Sequence, residues 1–398
     1  MIYRRDIESK IKELGRYFPV ILLTGARQTG KTTLMKLLFP DMCYVSLDLP
    51  SLAEKAEQSP EAFLQEFPPP LIIDEVQYAP GLFRHIKERV DLQRSEMGQF
   101  FLTGSQKFSL MKGVGDSLAG RLALLELETL SLSEIRAATD AELSLDDLVE
   151  IITRGQFPEL WRQRDLPLQD YYAGYVATYL ERDVRQILNV AKLRDFERFI
   201  RILAARSGQL LNKSEIARDV GVSVKAIGDW VSVLEASNII ALLEPYFQNI
   251  SKRIIKSPKV YFADTGLLCY LLGVSSDSFR ESPFLGHIWE NFIFSELRKK
   301  NQLAENPYNI FYYRDQRARE IDFFLERGGA VTLIEGKWTE MPERRAGKQI
   351  QQIAAEINDS RLPLVNRRNF VVSTCKHSYP LQETIEVVNL ESCLRQLF

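Results

Sequence analysis

The stretch Gly25-Ala26-Arg27-Gln28-Thr29-Gly30-Lys31-Thr32 constrains this chain more than any other. It is entered from the apolar run Val20-Ile21-Leu22-Leu23 and left through Thr33-Leu34-Met35-Lys36-Leu37-Leu38. Strand, loop and helix therefore follow in the order required by the phosphate-binding pattern G-x-x-x-x-G-K-[ST]. Gly25 and Gly30 let the backbone turn tightly enough to aim its N–H groups at phosphates, at the positive end of the next helix. Gly25, Ala26, Arg27, Gln28, Thr29, Gly30, Lys31, Thr32 and Thr33 form the expected cradle. Lys31 is expected to reach the β- and γ-phosphates, and Thr32 to hold Mg2+.

Composition sets outer limits. At 398 residues, 45% hydrophobic and 26% charged, the chain suits two or three globular domains that need no staples. A net charge of −2 gives no general attraction to nucleic acid, so any such contact must come from local asymmetry. Cys43, Cys269, Cys375 and Cys393 are scattered, which suggests neither a zinc site nor a disulfide framework and suits a cytoplasmic protein. No run of eighteen apolar residues occurs, so no membrane partner is expected.

Along the chain, Ile7, Ile11 and Leu14 have helical spacing, and Cys43 to Leu47 reads as a second strand. Behind Pro68-Pro69-Pro70 comes Leu71-Ile72-Ile73-Asp74-Glu75, a buried-strand run ending in two carboxylates. Asp74 is expected to bind Mg2+ and Glu75 to polarise the attacking water. Phe100 to Ser105 reads as another parallel strand, whose Thr103 or Ser105 either senses the γ-phosphate or caps a turn. Arg121, ahead of the strand-like Leu122 to Leu127, either stabilises γ-phosphate charge, in cis or across a homo-oligomer interface, or forms a surface salt bridge.

The Gly-Ala-Arg-Gln-Thr-Gly-Lys-Thr-Thr loop, the Ile-Ile-Asp-Glu-Val-Gln strand and the Leu-Thr-Gly-Ser and Leu-Ala-Gly-Arg segments together resemble prokaryotic AAA-like ATPases with a C-terminal domain of unassigned function. The resemblance extends to Gly155-Gln156-Phe157-Pro158-Glu159 and Tyr179-Leu180-Glu181-Arg182-Asp183. It implies ATP as the nucleotide.

Residues 130–197 read as a helical lid, with Ser133 and Ser144 as N-caps and a packing stripe of Tyr171, Tyr175 and Tyr179. Ser214 to Ser237 then gives two short helices across Gly221, the helix-turn-helix pattern, with Lys252-Arg253-Ile254-Ile255-Lys256 as the wing of a winged helix over 198–256. Ten Lys/Arg against five Asp/Glu between Arg198 and Lys259 favour DNA. Against DNA, Asp229 lies on the would-be recognition helix and only Lys225 adds positive charge there.

In the last segment, 257–398, Gly328-Gly329 suits a two-residue hairpin turn. Pairing Arg327 with Ala330 then sets Asp322 opposite Glu335, and Glu320 opposite Lys337, all on one face. Opposed carboxylates repel unless a cation sits between them, and a divalent metal would serve. Asp followed by Glu-x-Lys is the arrangement of PD-(D/E)xK nucleases, in which carboxylates hold Mg2+ and Lys337 would help to activate water. Glu290, on the helix His287 to Leu297, resembles the additional acid of that superfamily. The fold class expected is thus α/β multidomain: a P-loop AAA-like ATPase (1–129), helical lid, winged helix and a restriction-endonuclease-like domain. The function expected is ATP hydrolysis coupled to a nuclease-like module, or a regulatory ATPase whose C-terminal half binds protein or nucleic acid without cutting.

Overall fold

In the computed structural model, which describes residues 3–105, 118–138, 143–179, 193–246, 257–315, 317–359 and 363–398, the apolar runs become strands of a parallel sheet. β1 (Val20–Thr24), β2 (Cys43–Ser46), β3 (Leu71–Asp74), β4 (Phe100–Gly104) and β5 (Leu122–Glu126) lie in the order β2-β3-β4-β1-β5, every pair of neighbours parallel. β1, β3 and β4 are buried at every position, as a parallel sheet covered by helices requires. The helices around it are α1 (Glu8–Leu14), α2 (Lys31–Leu38), α3 (Pro50–Gln58), α4 (Pro60–Glu66) and α5 (Leu82–Leu92). Val20, Leu22, Ile73, Phe100 and Leu102 share a core with Phe83 and Ile86 of α5, while Phe101 packs on Phe39, just past α2, with ring centroids 4.2 Å apart. The loop after β1 therefore opens at the carboxyl ends of the central strands, where ligands of open α/β sheets sit.

The chain packs as two units, one of Met1–Leu130 with Phe157–Arg162 and Ala236–Ile239, the other of Ser131–Gln156, Gln163–Glu235 and Ile240–Phe398. The stretch expected as a lid divides between them. α6 (Leu132–Ala137), α7 (Leu145–Arg154) and α9 (Leu168–Tyr179) fall in the second unit, and α8 (Pro158–Arg162) in the first. Ser144 caps α7 as expected, but α6 is capped by Ser131 in place of Ser133, because Ser131 and Glu134 close a reciprocal capping box. The tyrosine stripe packs: Tyr175 and Tyr179 are buried and the Tyr171 and Tyr175 rings stack. Leu180 to Asp183 lie outside the described residues.

In the second unit, α10 (Leu193–Ala204), α11 (Lys213–Val220) and α12 (Val224–Ala236) precede an antiparallel ladder of β6 (Ile240–Leu243) and β7 (Lys259–Phe262). Phe196 and Phe199 of α10 pack on Trp230 of α12 with centroids 5.2 and 5.4 Å apart. α11 stops at Gly221 in the left-handed conformation. The stretch Lys252 to Lys256, expected as a wing, lies outside the described residues. α13 (Thr265–Leu272) and α14 (Leu285–Asn301) lead into a mixed sheet ordered β12-β13-β11-β10-β9-β8, made of β8 (Asn309–Arg314), β9 (Glu320–Arg327), β10 (Ala330–Gly336), β11 (Val365–Val372), β12 (Tyr379–Gln382) and β13 (Ile385–Val388). α15 (Lys348–Asn358) covers one face through Ile350, Ile353 and Ile357. α14 packs on the sheet through Phe294 on Phe323 and through Trp289, whose indole donates to the Val372 carbonyl at 3.3 Å. α16 (Leu390–Leu397) closes the chain.

The β9–β10 hairpin has the register its turn demands, Arg327 opposite Ala330 through Phe323 opposite Ile334. Both turn glycines have positive φ, +58° and +81°, and a Cβ on Gly329 would stand 2.8 Å from the Pro363 carbonyl oxygen whereas one on Gly328 meets open space. Gly328→Ala is expected to cost about 1 kcal/mol for the left-handed backbone alone, and Gly329→Ala clearly more. Urea denaturation of the two variants checks this, and equal costs would contradict it.

Candidate active site

The phosphate loop is built by two strained turns. Gly25 has φ +147°, and a Cβ there would lie 2.2 Å from the Leu127 carbonyl oxygen; Gly30, at φ +92°, leads directly into α2. Lys31 folds back over the loop, its ammonium donating to the carbonyls of Gly25 at 2.9 Å and Ala26 at 2.8 Å. Thr29 is buried and donates to the Ala26 carbonyl, while Gln28 and Thr33 are exposed. A residue missed in the sequence, Arg5, braces the loop from behind. It is buried, and its guanidinium donates to the carbonyls of Thr29 at 2.9 Å and Glu128 at 2.8 Å. An arginine ahead of the first strand gives no motif, so no signal in the sequence pointed to it.

Asp74, at the end of β3, gathers three hydroxyls. Thr32 and Tyr44 each donate to its Oδ2 at 2.8 Å, and Thr103 bonds its Oδ1. Thr32 lies on α2, Tyr44 on β2 and Thr103 on β4, so the carboxylate joins three elements. Burial, and then the Asp74 carboxylate itself, push the Tyr44 hydroxyl well above its ordinary range, which keeps it a donor. This set of hard oxygens fits Mg2+. Glu75 sits in the left-handed region at φ +54°, a strained placement for a glutamate, with its carboxylate bonded by Gln77 and by Ser105 at 3.3 Å. Thr103 and Ser105 thus both meet the acidic pair.

Arg121 takes the second of its two readings, a salt bridge. Its carbonyl accepts from Val20 N at the amino end of β1, whereas the loop follows Thr24, which pairs with Glu126. At about 3.3 Å per residue it stands roughly 16 Å along the sheet from the loop, too far to touch a γ-phosphate in cis. Its guanidinium instead clasps Asp91, at 2.7 and 3.0 Å.

The second cluster lies on the mixed sheet. The ladder with β9 ends at Ile334, whereas β10 stays paired with β11 along its whole length, and just beyond it Lys337 N donates to the Val372 carbonyl at 2.9 Å. The period-two extension therefore ends early, and the expected Glu320–Lys337 pair does not form. Lys337 bonds Glu335 at 2.8 Å, and Glu320 meets Arg314 at 3.4 Å and Lys259 at 2.5 Å. Lys259 is the second residue missed in the sequence. Its ammonium, 2% exposed, also lies 2.9 Å from Glu290 and 3.9 Å from Asp322. Tyr261, two residues on and so on the same face of β7, donates to the same Glu290 oxygen at 2.6 Å. A lysine alternating with a tyrosine inside an apolar strand was the available signal. Burial works to lower the Lys259 pKa, but Glu290, Asp322 and Glu320 outweigh it and keep the ammonium charged. Burial, then the Glu290 charge, raise the Asp322 carboxyl; burial, then Asp322, push Glu335 up to about 8. Glu335 Oε2 is buried with no hydrogen-bond partner. Among the described residues, no three His, Cys, Asp or Glu side chains are arranged to hold a metal ion. The acids expected to hold Mg2+ meet ammonium groups instead, Glu290 and Asp322 facing Lys259 and Glu335 facing Lys337.

Two cations of the basic excess around the helix pair are matched to acids. Arg206 pairs with Glu215 and Asp219 at 2.9 and 2.8 Å, and Lys259 is buried among acids. The exposed positions of α12 include Lys225, Asp229 and Glu235.

A family model described as AAA domain matches residues 17–136, and two domains of unknown function, DUF8612 and DUF4143, match 145–278 and 285–393. Two proteins described as uncharacterized, Mb2031c of Mycobacterium bovis and Rv2008c of Mycobacterium tuberculosis, are each 31% identical over 400 residues, covering 99% of this chain and 85% of theirs. The chain belongs to the family of Mb2031c and Rv2008c. In this family member the first unit is an AAA-like P-loop ATPase domain. Among solved structures, the Walker-type ATPase paby2304 of Pyrococcus abyssi superposes with a TM-score of 0.47 at 15% identity, over 68% of this chain and 96% of that one. The Thermotoga maritima RuvB Holliday junction branch migration motor gives 0.31 at 15%, over 60% and 89%. No helix among the described residues is long and apolar enough to cross a membrane.

The raised Glu335 pKa has a stability consequence. The folded chain holds this proton up to about pH 8, while the unfolded chain releases it near the ordinary 4.5. Its contribution is therefore complete below pH 4.5 and is lost as pH rises toward 8. Urea unfolding at pH 5 and pH 8 is expected to show a loss of stability in the wild type that shrinks in Glu335→Gln. An unchanged loss would contradict the assignment.

Proposed function

We propose that this protein hydrolyses ATP with Mg2+ in its first unit and uses turnover to switch a C-terminal binding module. The observation that carries the reading is the hydrogen bond from Thr32 to Asp74, which brings the two expected Mg2+ ligands to one point beside the loop. Bound Mg2+ would neutralise charge on the β- and γ-phosphates. In this reading Lys31 leaves the Gly25 and Ala26 carbonyls for the phosphates, and α2 turns its N-terminus on them. Glu75 orients and polarises the attacking water, with Ser105 and Gln77 holding its carboxylate.

For the C-terminal half, the order of α14, three antiparallel strands β8 to β10, then α15 and the parallel strand β11 supports the nuclease-like fold. The ion pairs of Lys259 and Lys337 with its acids favour binding without cleavage over cutting. The three helices and ladder from α10 to β7 are consistent with a winged helix. DNA contact through α12 draws little support from Lys225 set beside Asp229 and Glu235, so we infer that this module serves first in packing or protein contact.

Phosphate release tests the ATPase reading. Glu75→Gln is expected to bind ATP as the wild type does while hydrolysis falls about 10²-fold or more, and Lys31→Ala to lose ATP binding. Normal turnover in Glu75→Gln would overturn the assigned role.

A further inference from the structure

We propose that the C-terminal acidic cluster carries its own cation. The Lys259 ammonium takes the place that a divalent metal would fill, and the folded domain binds no metal there.

The case rests on which oxygens are already committed. Lys259 comes from β7, outside the mixed sheet, and its ammonium lies 2.9 Å from Glu290 Oε1, 2.5 Å from Glu320 Oε1 and 3.9 Å from Asp322 Oδ1. It therefore faces carboxylates delivered by two elements, α14 and β9, as a bridging metal would. Glu290 Oε1 also accepts from Tyr261 at 2.6 Å, and Asp322 Oδ2 accepts from Gly336 N at 2.8 Å. Glu335 Oε1 is taken by Lys337 at 2.8 Å, which leaves Glu335 Oε2 as its one buried oxygen without a partner. Mg2+ and Mn2+ bind carboxylate oxygens and water in near-octahedral geometry, and here the point between Glu290, Glu320 and Asp322 is held by the Lys259 ammonium. An ammonium at the same point competes with a metal by both volume and charge. Three cations, Lys259, Lys337 and Arg314, already face the acidic side chains of Glu290, Glu320, Asp322 and Glu335.

The placement of Lys259 is set by the β6–β7 ladder, where it pairs with Leu243, and by a bridge to Leu210. Its ammonium is thus supplied by the helix-and-ladder module and not by the strands that carry the acids. Access of a metal to these acids requires that β7 withdraw its side chain.

This inference deepens the non-cleaving reading, and the two fail separately. A chain that binds metal through Asp322 yet cuts nothing refutes the inference and leaves that reading standing. The test is Mn2+ titration of nucleotide-free, full-length protein followed by electron paramagnetic resonance, with Asp74→Asn in every sample to silence the first unit. This background protein is expected to bind no Mn2+ that depends on Asp322. Adding Lys259→Met, similar in length and uncharged, is expected to create one Mn2+ site per chain, lost again on adding Asp322→Asn. Mn2+ binding before Lys259 is changed, abolished by Asp322→Asn, would overturn the proposal, as would a folded Lys259→Met protein that binds none. Where Lys259→Met does not fold without metal, rescue of folding by Mn2+ supports the proposal and failure of rescue counts against it.

Discussion

The hydrogen bonds that converge on Asp74 are the constraint on which the first unit depends. A buried carboxylate costs several kcal/mol unless its charge is met, and here Thr32, Tyr44 and Thr103 meet it from α2, β2 and β4. That convergence fixes where the phosphate-loop helix begins relative to the sheet. It also leaves the carboxylate bound only as firmly as neutral hydroxyls bind, which is the property that a metal ligand needs. Arg5 does the corresponding work on the backbone side, donating to the carbonyls of Thr29 and Glu128 from a buried position.

The second unit solves the same problem by a different route. Its acids are met by ammonium groups in place of hydroxyls, Lys259 for Glu290 and Glu320, and Lys337 for Glu335. Two acidic clusters in one chain thus have opposite standing toward a metal. The first is met by neutral hydroxyls, and the second by full charges, of which Lys259 is itself buried. Breaking such a buried pair on one side is expensive, which makes Lys259 a structural commitment of the fold.

Where chemistry is local in the chain, the sequence was easy to read. The phosphate loop, Asp74-Glu75 and the Gly328-Gly329 hairpin each depend on neighbours within a strand, loop or turn, and each has the geometry its residues require. The sequence left more open where the answer depended on long-range placement. Arg121 stands beside the right strand but at its amino end, and only the fold decides between its two readings in favour of the salt bridge with Asp91. The Glu320–Lys337 pair assumed that β9 and β10 stay together past Ile334, but their ladder ends there. Lys259 belongs to a strand far from the acids it neutralises, so only the tertiary fold joins them.

The central claim is that Asp74 exchanges its hydroxyl partners for the metal that accompanies the nucleotide. The most direct measurement is calorimetric titration of wild type and Asp74→Asn with a slowly hydrolysed ATP analogue, with and without Mg2+. One nucleotide per chain is predicted for both, with affinity raised by Mg2+ in the wild type and unaffected by it in Asp74→Asn. An equal Mg2+ enhancement in the two proteins would contradict the account.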